Sequence, residues 1–184
     1  MKTVFLNIGY MQYYRGINKT DTEINGSADA FDQFNFCMAN IDEEEIVIGY
    51  CDFGNTKGGV PTSKLGSDTD YAEDILAIWC AKNADNNLVV VGWYNNATIY
   101  KNYCSCTFES DDAVCGYEQL FNVEAYASDC VLLPETERQK SEWRIMDEDL
   151  NNFEKHKNVW IGNIERIETE IKNYKGDNLM LYNI

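Results

Sequence analysis

Two aromatic-rich stretches carry the side chains best suited to hold a flat ligand. The first, G-Y-M-Q-Y-Y-R-G, spans 9–16, and the second, G-W-Y-N-N, spans 92–96. Aromatic rings stack on nucleobases at about 1–3 kcal/mol per base. Amide side chains hydrogen-bond the edges of a base held out of its stack, and glycine lets the backbone approach closely. The predicted ligand-binding residues are Tyr10, Met11, Tyr13, Tyr14, Arg15, Trp93, Tyr94, Asn95, Asn96, Tyr100, Lys101, Asn158 and Trp160.

A simpler interpretation of the second stretch needs no ligand. Asn95-Asn96 is an acceptable turn pair for a β-hairpin, and aromatic rings fit the half-buried face of a sheet. On this interpretation several of the rings belong to the core. We favour the core for Trp79 and Tyr50, and the ligand site for Tyr10, Trp93 and Asn95.

The sequence contains no recognisable catalytic or metal-binding motif. Nucleophile-elbow, zinc-protease and phosphate-loop patterns are missing, and the sole histidine, His156, lies between two lysines. The seven cysteines include a C-x-C pair at 104 and 106, followed by Cys115, which is not the paired spacing of zinc sites. We therefore predict reduced thiols, no catalytic residue, no metal and no cofactor.

The chain is strongly acidic, with 31 acidic against 15 basic residues and a formal net charge of −16. Proteins that grip duplex nucleic acid usually present a basic face, because neutralising phosphates supplies much of the affinity. The overall field here repels a polyanion. A solvated acidic surface is the commonest explanation. A local basic groove would have to come from Arg15, Lys57, Lys64, Lys82 and Lys101.

Length and periodicity predict one domain over residues 1–184, with a strand-rich core over 1–162 and a C-terminal helix and tail over 163–184. Isoleucines and Tyr174 recur at helical spacing after Asn163, the expected N-cap, and Gly176 is expected near the end of the helix. A short helical turn is predicted at 70–74 and another after Pro134. Strand signals lie at 2–8, 33–39, 45–53, 75–81, 88–94, 97–103 and 117–133.

These elements predict an α+β fold, a strand-rich mixed sheet or barrel with peripheral helices and a C-terminal amphipathic helix. Apolar runs are too short to span a bilayer, and the N-terminal run is too short for a signal peptide. We therefore predict a cytoplasmic protein without membrane contact. The sequence leaves open whether the protein forms a homo-oligomer.

Several segments in this order resemble the amino-terminal domain of a group of bacterial HNH endonucleases of the restriction type. The resemblance covers nearly all of 3–163, and its most specific pieces fit G-[WY]-M-x-x-Y-x-G and V-V-G-W-Y-x-N-A-T-x-Y. In that family the domain precedes the nuclease and is taken to select the target. The resemblance implies a reader of modified bases with a PUA-like barrel.

Three features depart from that family. One histidine cannot supply the paired histidines of an HNH nuclease, and this sequence ends where the family continues into the nuclease. Tyr10 stands where the family usually has tryptophan. The residues before the N-V-W sequence at 158–160 are Lys155-His156-Lys157, where the family has a more glycine-rich segment.

Three functions remain open on the sequence, none of them catalytic. The favoured one is binding of a nucleotide or nucleobase-containing ligand between the 9–16 loop and the 92–96 turn, for example to sequester a signalling nucleotide in phage–host conflict. The second is a modified-DNA reader that works with a separate nuclease subunit and needs a basic groove. The third is an acidic DNA mimic that inhibits a nuclease.

Overall fold

One mixed sheet forms the body of the protein. The computed structural model describes residues 2–16, 21, 31–41, 43–54, 62–107 and 118–181. In these ranges the nine strands are β1 (Lys2–Ile8), β2 (Met38–Ile41), β3 (Glu44–Gly49), β4 (Tyr71–Lys82), β5 (Leu88–Thr107), β6 (Glu118–Tyr126), β7 (Cys130–Leu132), β8 (Glu154–His156) and β9 (Val159–Ile161). The two α-helices are α1 (Glu135–Arg138) and α2 (Glu165–Asn173).

The sheet is open, with the order β2-β3-β6-β5-β4-β1-β9-β8, and β7 pairs with β5 beside this path. Only β1 and β4 are parallel among the pairings in the described ranges, and the others are antiparallel. The prediction of a strand-rich α+β fold with few helices is confirmed.

The central strands are buried on both faces, which divides the core in two. Along β1, Leu6 faces one cluster and Phe5 the other, as alternation along a strand requires. The cluster that contains Tyr10 and Tyr14 is called here the loop-side core. The other, covered by Ile167 of α2, is called the helix-side core. Burial on both faces explains why β4 and β5 contain nearly continuous apolar runs.

The predicted turn at Asn95-Asn96 is wrong, because β5 runs through it as one strand of 20 residues. Ala77 pairs with Tyr94 and Ile75 with Ala97, so β5 contains one residue more than β4 between these pairs. That is a β-bulge. Asn96 takes a φ of 48°, a left-handed conformation that asparagine tolerates better than most residues.

Other boundaries also differ from the prediction. Residues 33–39 are divided between a 3₁₀ turn, Asp32–Phe34, and the start of β2, while residues 71–74, predicted helical, begin β4. The short helix after Pro134 is confirmed as α1. The final helix is confirmed, but Ile164 is its N-cap residue instead of Asn163. Lys57, Cys115 and 55–61 of the glycine-rich connector lie outside the described residues.

None of the described helices has the length and apolar character needed to cross a bilayer.

The bulge provides a test of the fold. Asn96→Val should lower the free energy of unfolding by about 1–2 kcal/mol, because a β-branched side chain is strained in the left-handed region. Asn96→Gly should cost clearly less, because glycine takes this conformation freely and both variants lose the same exposed hydrogen bond to Asp129. Urea denaturation measures both. Asn102→Val, at an exposed position of the same strand, is the control; an equal loss there would contradict the assignment.

Candidate functional site

The first aromatic stretch wraps a buried arginine. Arg138 is 0% exposed, and its Nε donates to the carbonyl of Leu133 at 2.8 Å. Its Nη1 and Nη2 donate to the carbonyls of Met11 and Gln12 at 2.6 and 2.7 Å. The guanidinium carbon lies 5.4 Å from the ring centre of Tyr10 and 6.0 Å from that of Tyr14. Both rings therefore make cation–π contacts inside the protein.

Further hydrogen bonds close this loop on itself. The carboxylate of Asp21 accepts from the backbone amides of Gln12 and Tyr13 at 2.7 and 3.0 Å. The hydroxyl of Tyr14 donates to the carbonyl of Gly9 at 2.7 Å, and Tyr14 itself has a φ of 54°. A tyrosine in this region is strained and persists only where the surroundings hold it.

The predicted residues of this loop differ in exposure. Tyr10, Met11 and Tyr14 are buried, whereas Tyr13 and Arg15 are half-buried. Arg15 donates to the carbonyl of Met180 at 3.2 Å. Tyr10 and Tyr14 thus have packing partners in the free protein, and their role in ligand binding stays a prediction.

A cluster of four rings fills the loop-side core beside this loop, and we call Tyr14, Phe36, Trp79 and Tyr94 the ring cluster. Phe36 lies at its centre, with ring centroids 5.5 Å from Tyr14, 6.4 Å from Trp79 and 5.5 Å from Tyr94. Trp79 and Tyr94 meet each other at 5.2 Å and an interplanar angle of 61°. These are the tilted and edge-to-face arrangements that aromatic pairs prefer.

Two glycines make room for these rings. A Cβ on Gly92 would lie 2.3 Å from the carbonyl oxygen of Val131 and 2.7 Å from the ring of Phe36. A Cβ on Gly49 would lie 2.5 Å from the indole of Trp79 and 3.2 Å from the hydroxyl of Tyr94. Gly92 interrupts the apolar run of β5 because no side chain fits between Phe36 and β7.

The ring cluster contains two polar atoms that have no partner among the described residues. The indole Nε1 of Trp79 and the hydroxyl of Tyr94 are buried and make no hydrogen bond there, and both residues are 0% exposed. Burial raises the pKa of the Tyr94 phenol, which keeps it protonated. An unpaired buried polar group costs about 1–3 kcal/mol, so each such group in a native structure calls for an explanation.

The sequence predicts different roles for these two residues. It predicts Tyr94 for the ligand site and Trp79 for the core, because Trp79 lies in the apolar run I-L-A-I-W-C-A. Nothing in a single sequence shows that the Trp79 nitrogen has no partner. That follows only from the pairing of β4 with β5, which places both residues in the loop-side core.

Trp93 lies on the opposite face of the sheet from Tyr94. It stacks on Trp143 at 5.6 Å and an angle of 20°, and meets Tyr174 edge-on at 5.5 Å, in the helix-side core. Neighbouring residues of a strand point to opposite faces, so Trp93 and Tyr94 cannot line one pocket. The predicted pairing of both rings in one site fails for this reason.

Asn158 and Trp160 lie by the β8–β9 turn. The carbonyl of Asn158 accepts from the backbone amide of Asn7 at 2.8 Å. The indole of Trp160 donates to the carbonyl of Lys157 at 3.1 Å, and its ring packs against the helix-side core. Trp160 therefore belongs with the helix-side core and not with the ring cluster.

An acidic cleft of about 850 Å³ opens at the bulge of β5. Its carboxylates are Glu44, Glu73, Asp74, Glu124 and Asp129. The remaining lining residues are Ile46, Asn96, Thr98, Ala125 and Tyr126. The described lining contains no cation, so this cleft attracts positive charge and repels phosphate.

Some of the predicted residues lie in or beside this acidic cleft. Asn96 lines it and donates to the Asp129 carboxylate at 3.0 Å, while Asn95 donates to the Asp129 carbonyl at 3.3 Å. The hydroxyl of Tyr100 donates to the Glu124 carboxylate at 2.6 Å. Burial is the main reason that the pKa of the Tyr100 hydroxyl is raised, and the Glu124 carboxylate raises it further.

Two of the five cations expected for a basic groove are paired with carboxylates. Lys101 lies 3.3 Å from Asp70, and Lys64 lies 3.4 Å from Glu154. In the part of the chain that the structure describes, no group of three or more His, Cys, Asp or Glu side chains is arranged to hold a metal ion. In the described residues, the candidates for a binding site are therefore the ring cluster and the acidic cleft.

Comparison of the chain with protein-family models, with curated proteins and with solved structures found no match. The resemblance to the HNH-associated domain accordingly stays a prediction.

The buried arginine provides a second test. Arg138→Met should lower the free energy of unfolding by about 3–5 kcal/mol, because three carbonyl groups lose their donor in the interior. Arg138→Lys should not restore it, because an ammonium group lacks the planar fork that reaches all three. Chemical denaturation of both variants measures the loss. Arg144→Met, at an exposed arginine, is the control; a loss below 1 kcal/mol at Arg138 would contradict the central role of the guanidinium.

Proposed function

We propose that the protein binds a nucleobase-containing ligand, without turnover, in the ring cluster. The observation that supports this is the pair of unpartnered polar atoms, Trp79 Nε1 and the Tyr94 hydroxyl, inside a group of aromatic rings. A base supplies a flat face for the rings and acceptor atoms at its edge. It thereby satisfies both polar atoms, which the free protein leaves unpaired.

The two polar atoms restrict the chemistry of the ligand. The indole nitrogen only donates, whereas a tyrosine hydroxyl donates or accepts. The ligand must therefore present at least one acceptor in its plane, as every nucleobase does. We expect micromolar affinity, which corresponds to a binding free energy of about −8 kcal/mol.

The charge of the protein favours a small ligand over duplex DNA. A net charge of −16 opposes a polyanion, while one base can enter the interior with its phosphates directed to solvent. Sequestration of a signalling nucleotide fits this balance better than a stand-alone DNA reader. A PUA-like arrangement of the sheet is part of this proposal, and a structure with a base bound would test it.

The decisive variant is Tyr94→Phe, which removes only the hydroxyl. Because that hydroxyl has no partner, the free energy of unfolding should stay within about 0.5 kcal/mol or rise. Ligand affinity should fall about tenfold, the equivalent of one hydrogen bond. The matched control is Tyr14→Phe, whose hydroxyl bonds the Gly9 carbonyl. It should lower stability by about 1 kcal/mol.

Calorimetry against nucleosides, cyclic and linear nucleotides, single-stranded DNA and modified duplex DNA measures the binding. Loss of stability in Tyr94→Phe together with unchanged affinity would contradict the proposal. If no member of the panel binds the wild-type protein, the proposal fails outright.

A second candidate function rests on the acidic cleft. Five carboxylates with no described cation among them present the charge of a nucleic acid to a basic protein surface. Tyr126, which is 52% exposed in the lining, adds a ring face for an arginine. On this alternative the protein is an acidic mimic that occupies the DNA-binding surface of a nuclease.

An octa-arginine peptide tests the cleft directly. The triple variant Glu44→Gln/Glu73→Gln/Asp74→Asn should weaken binding by about 1–2 kcal/mol, since exposed ion pairs contribute about 0.2–1 kcal/mol each. The control Glu135→Gln/Glu148→Gln/Glu165→Gln changes the net charge equally at exposed sites outside the cleft. Fluorescence anisotropy at two salt concentrations measures both. Equal losses would show that bulk charge, and not the cleft, attracts the peptide.

A further inference from the structure

The central ring of the cluster, Phe36, occupies a place that a ligand ring would fill. We infer that the ligand presents a single six-membered ring, a pyrimidine base, which displaces the Phe36 side chain on binding. This inference rests on the function proposed above. It narrows the ligand from nucleobases in general to those with one ring.

Phe36 is enclosed by the other three rings of the cluster. Its side chain is 1% exposed, and its ring is surrounded by those of Tyr14, Trp79 and Tyr94 at 5.5, 6.4 and 5.5 Å. A hydrocarbon ring offers no hydrogen bond to Trp79 Nε1 or to the Tyr94 hydroxyl. A pyrimidine has nearly the same outline and carries a carbonyl oxygen and a ring nitrogen at its edge.

The walls of this space set the size limit. Gly92 leaves no free volume, since even a Cβ there would lie 2.3 Å from Val131 O and 2.7 Å from the Phe36 ring. A Cβ on Gly49 would lie 2.5 Å from the Trp79 indole and 3.2 Å from the Tyr94 hydroxyl, so these two rings also have little room to move apart. Both glycines lie in strands that pair with their neighbours. The second ring of a purine would therefore require the sheet itself to move.

Phe36 can leave the cluster at lower cost than Trp79 or Tyr94. Trp79 and Tyr94 lie inside β4 and β5, where paired strands hold their backbones. Phe36 instead lies between the 3₁₀ turn Asp32–Phe34 and β2, the last strand at one end of the sheet. The side chain of the preceding residue, Asn35, makes two hydrogen bonds of 2.8 and 2.9 Å with the backbone of Tyr50. These bonds hold the segment to the sheet and do not have to break when the Phe36 side chain moves out of the cluster.

The test compares uridine and cytidine with adenosine and guanosine by calorimetry. The wild-type protein should bind the pyrimidine nucleosides at least about tenfold more tightly, a factor that corresponds to about 1.4 kcal/mol. Phe36→Ala should tighten pyrimidine binding further, because the competing ring is gone. Phe36→Leu serves if the alanine variant does not fold, and should show a smaller gain. Phe34→Ala, on the same turn but outside the ring cluster, should leave the affinities unchanged.

The outcomes separate this inference from the function it rests on. Purine nucleosides that bind as tightly as pyrimidines would overturn the size limit and leave the proposed function standing. Weaker pyrimidine binding by both Phe36 variants would show that Phe36 belongs to the site and is not displaced. Absence of nucleoside binding by the wild-type protein and all variants would overturn both.

Discussion

The buried guanidinium of Arg138 is the interaction on which the loop-side half of the molecule depends. It ties the end of β7, through Leu133, to the first aromatic loop, through Met11 and Gln12. A buried cation is costly unless its donors are satisfied, and here three carbonyls and two ring faces satisfy it. Because Tyr14 is held in this way, its ring also forms one wall of the ring cluster. Positioning of the candidate site therefore begins at an arginine that lies outside it.

The two faces of the sheet are packed differently. On the helix-side face, helix α2 covers the core, and stacking and edge contacts join the rings of Trp93, Trp143 and Tyr174. On the loop-side face, two buried polar atoms have no hydrogen-bond partner among the described residues. The two cores therefore differ in how completely their polar groups are paired.

The charge and the rings are separated in space. Five carboxylates lie in the open cleft at the bulge of β5, whereas the ring cluster lies inside the loop-side core. An acidic exterior repels phosphates at a distance but has little effect on an uncharged base in a dry interior. Nucleobase binding and an acidic exterior are therefore physically compatible, and the cleft is a separate candidate for a cationic partner.

The sequence by itself determined the strand-rich α+β class, the first strand and the final helix, because each depends on local apolar periodicity. It also indicated a short helix or turn after Pro134, from the proline and the acidic residues that follow it. It also singled out Tyr94 and Asn96. Only the tertiary structure decided that Asn95-Asn96 is a bulge, that Tyr10 and Tyr14 face Arg138, and that Trp93 and Tyr94 face opposite cores. The unpaired state of Trp79 likewise depends on strands far apart in the chain. Hydrogen-bond satisfaction and ring contacts are set by residues distant in sequence, and local pattern does not contain them.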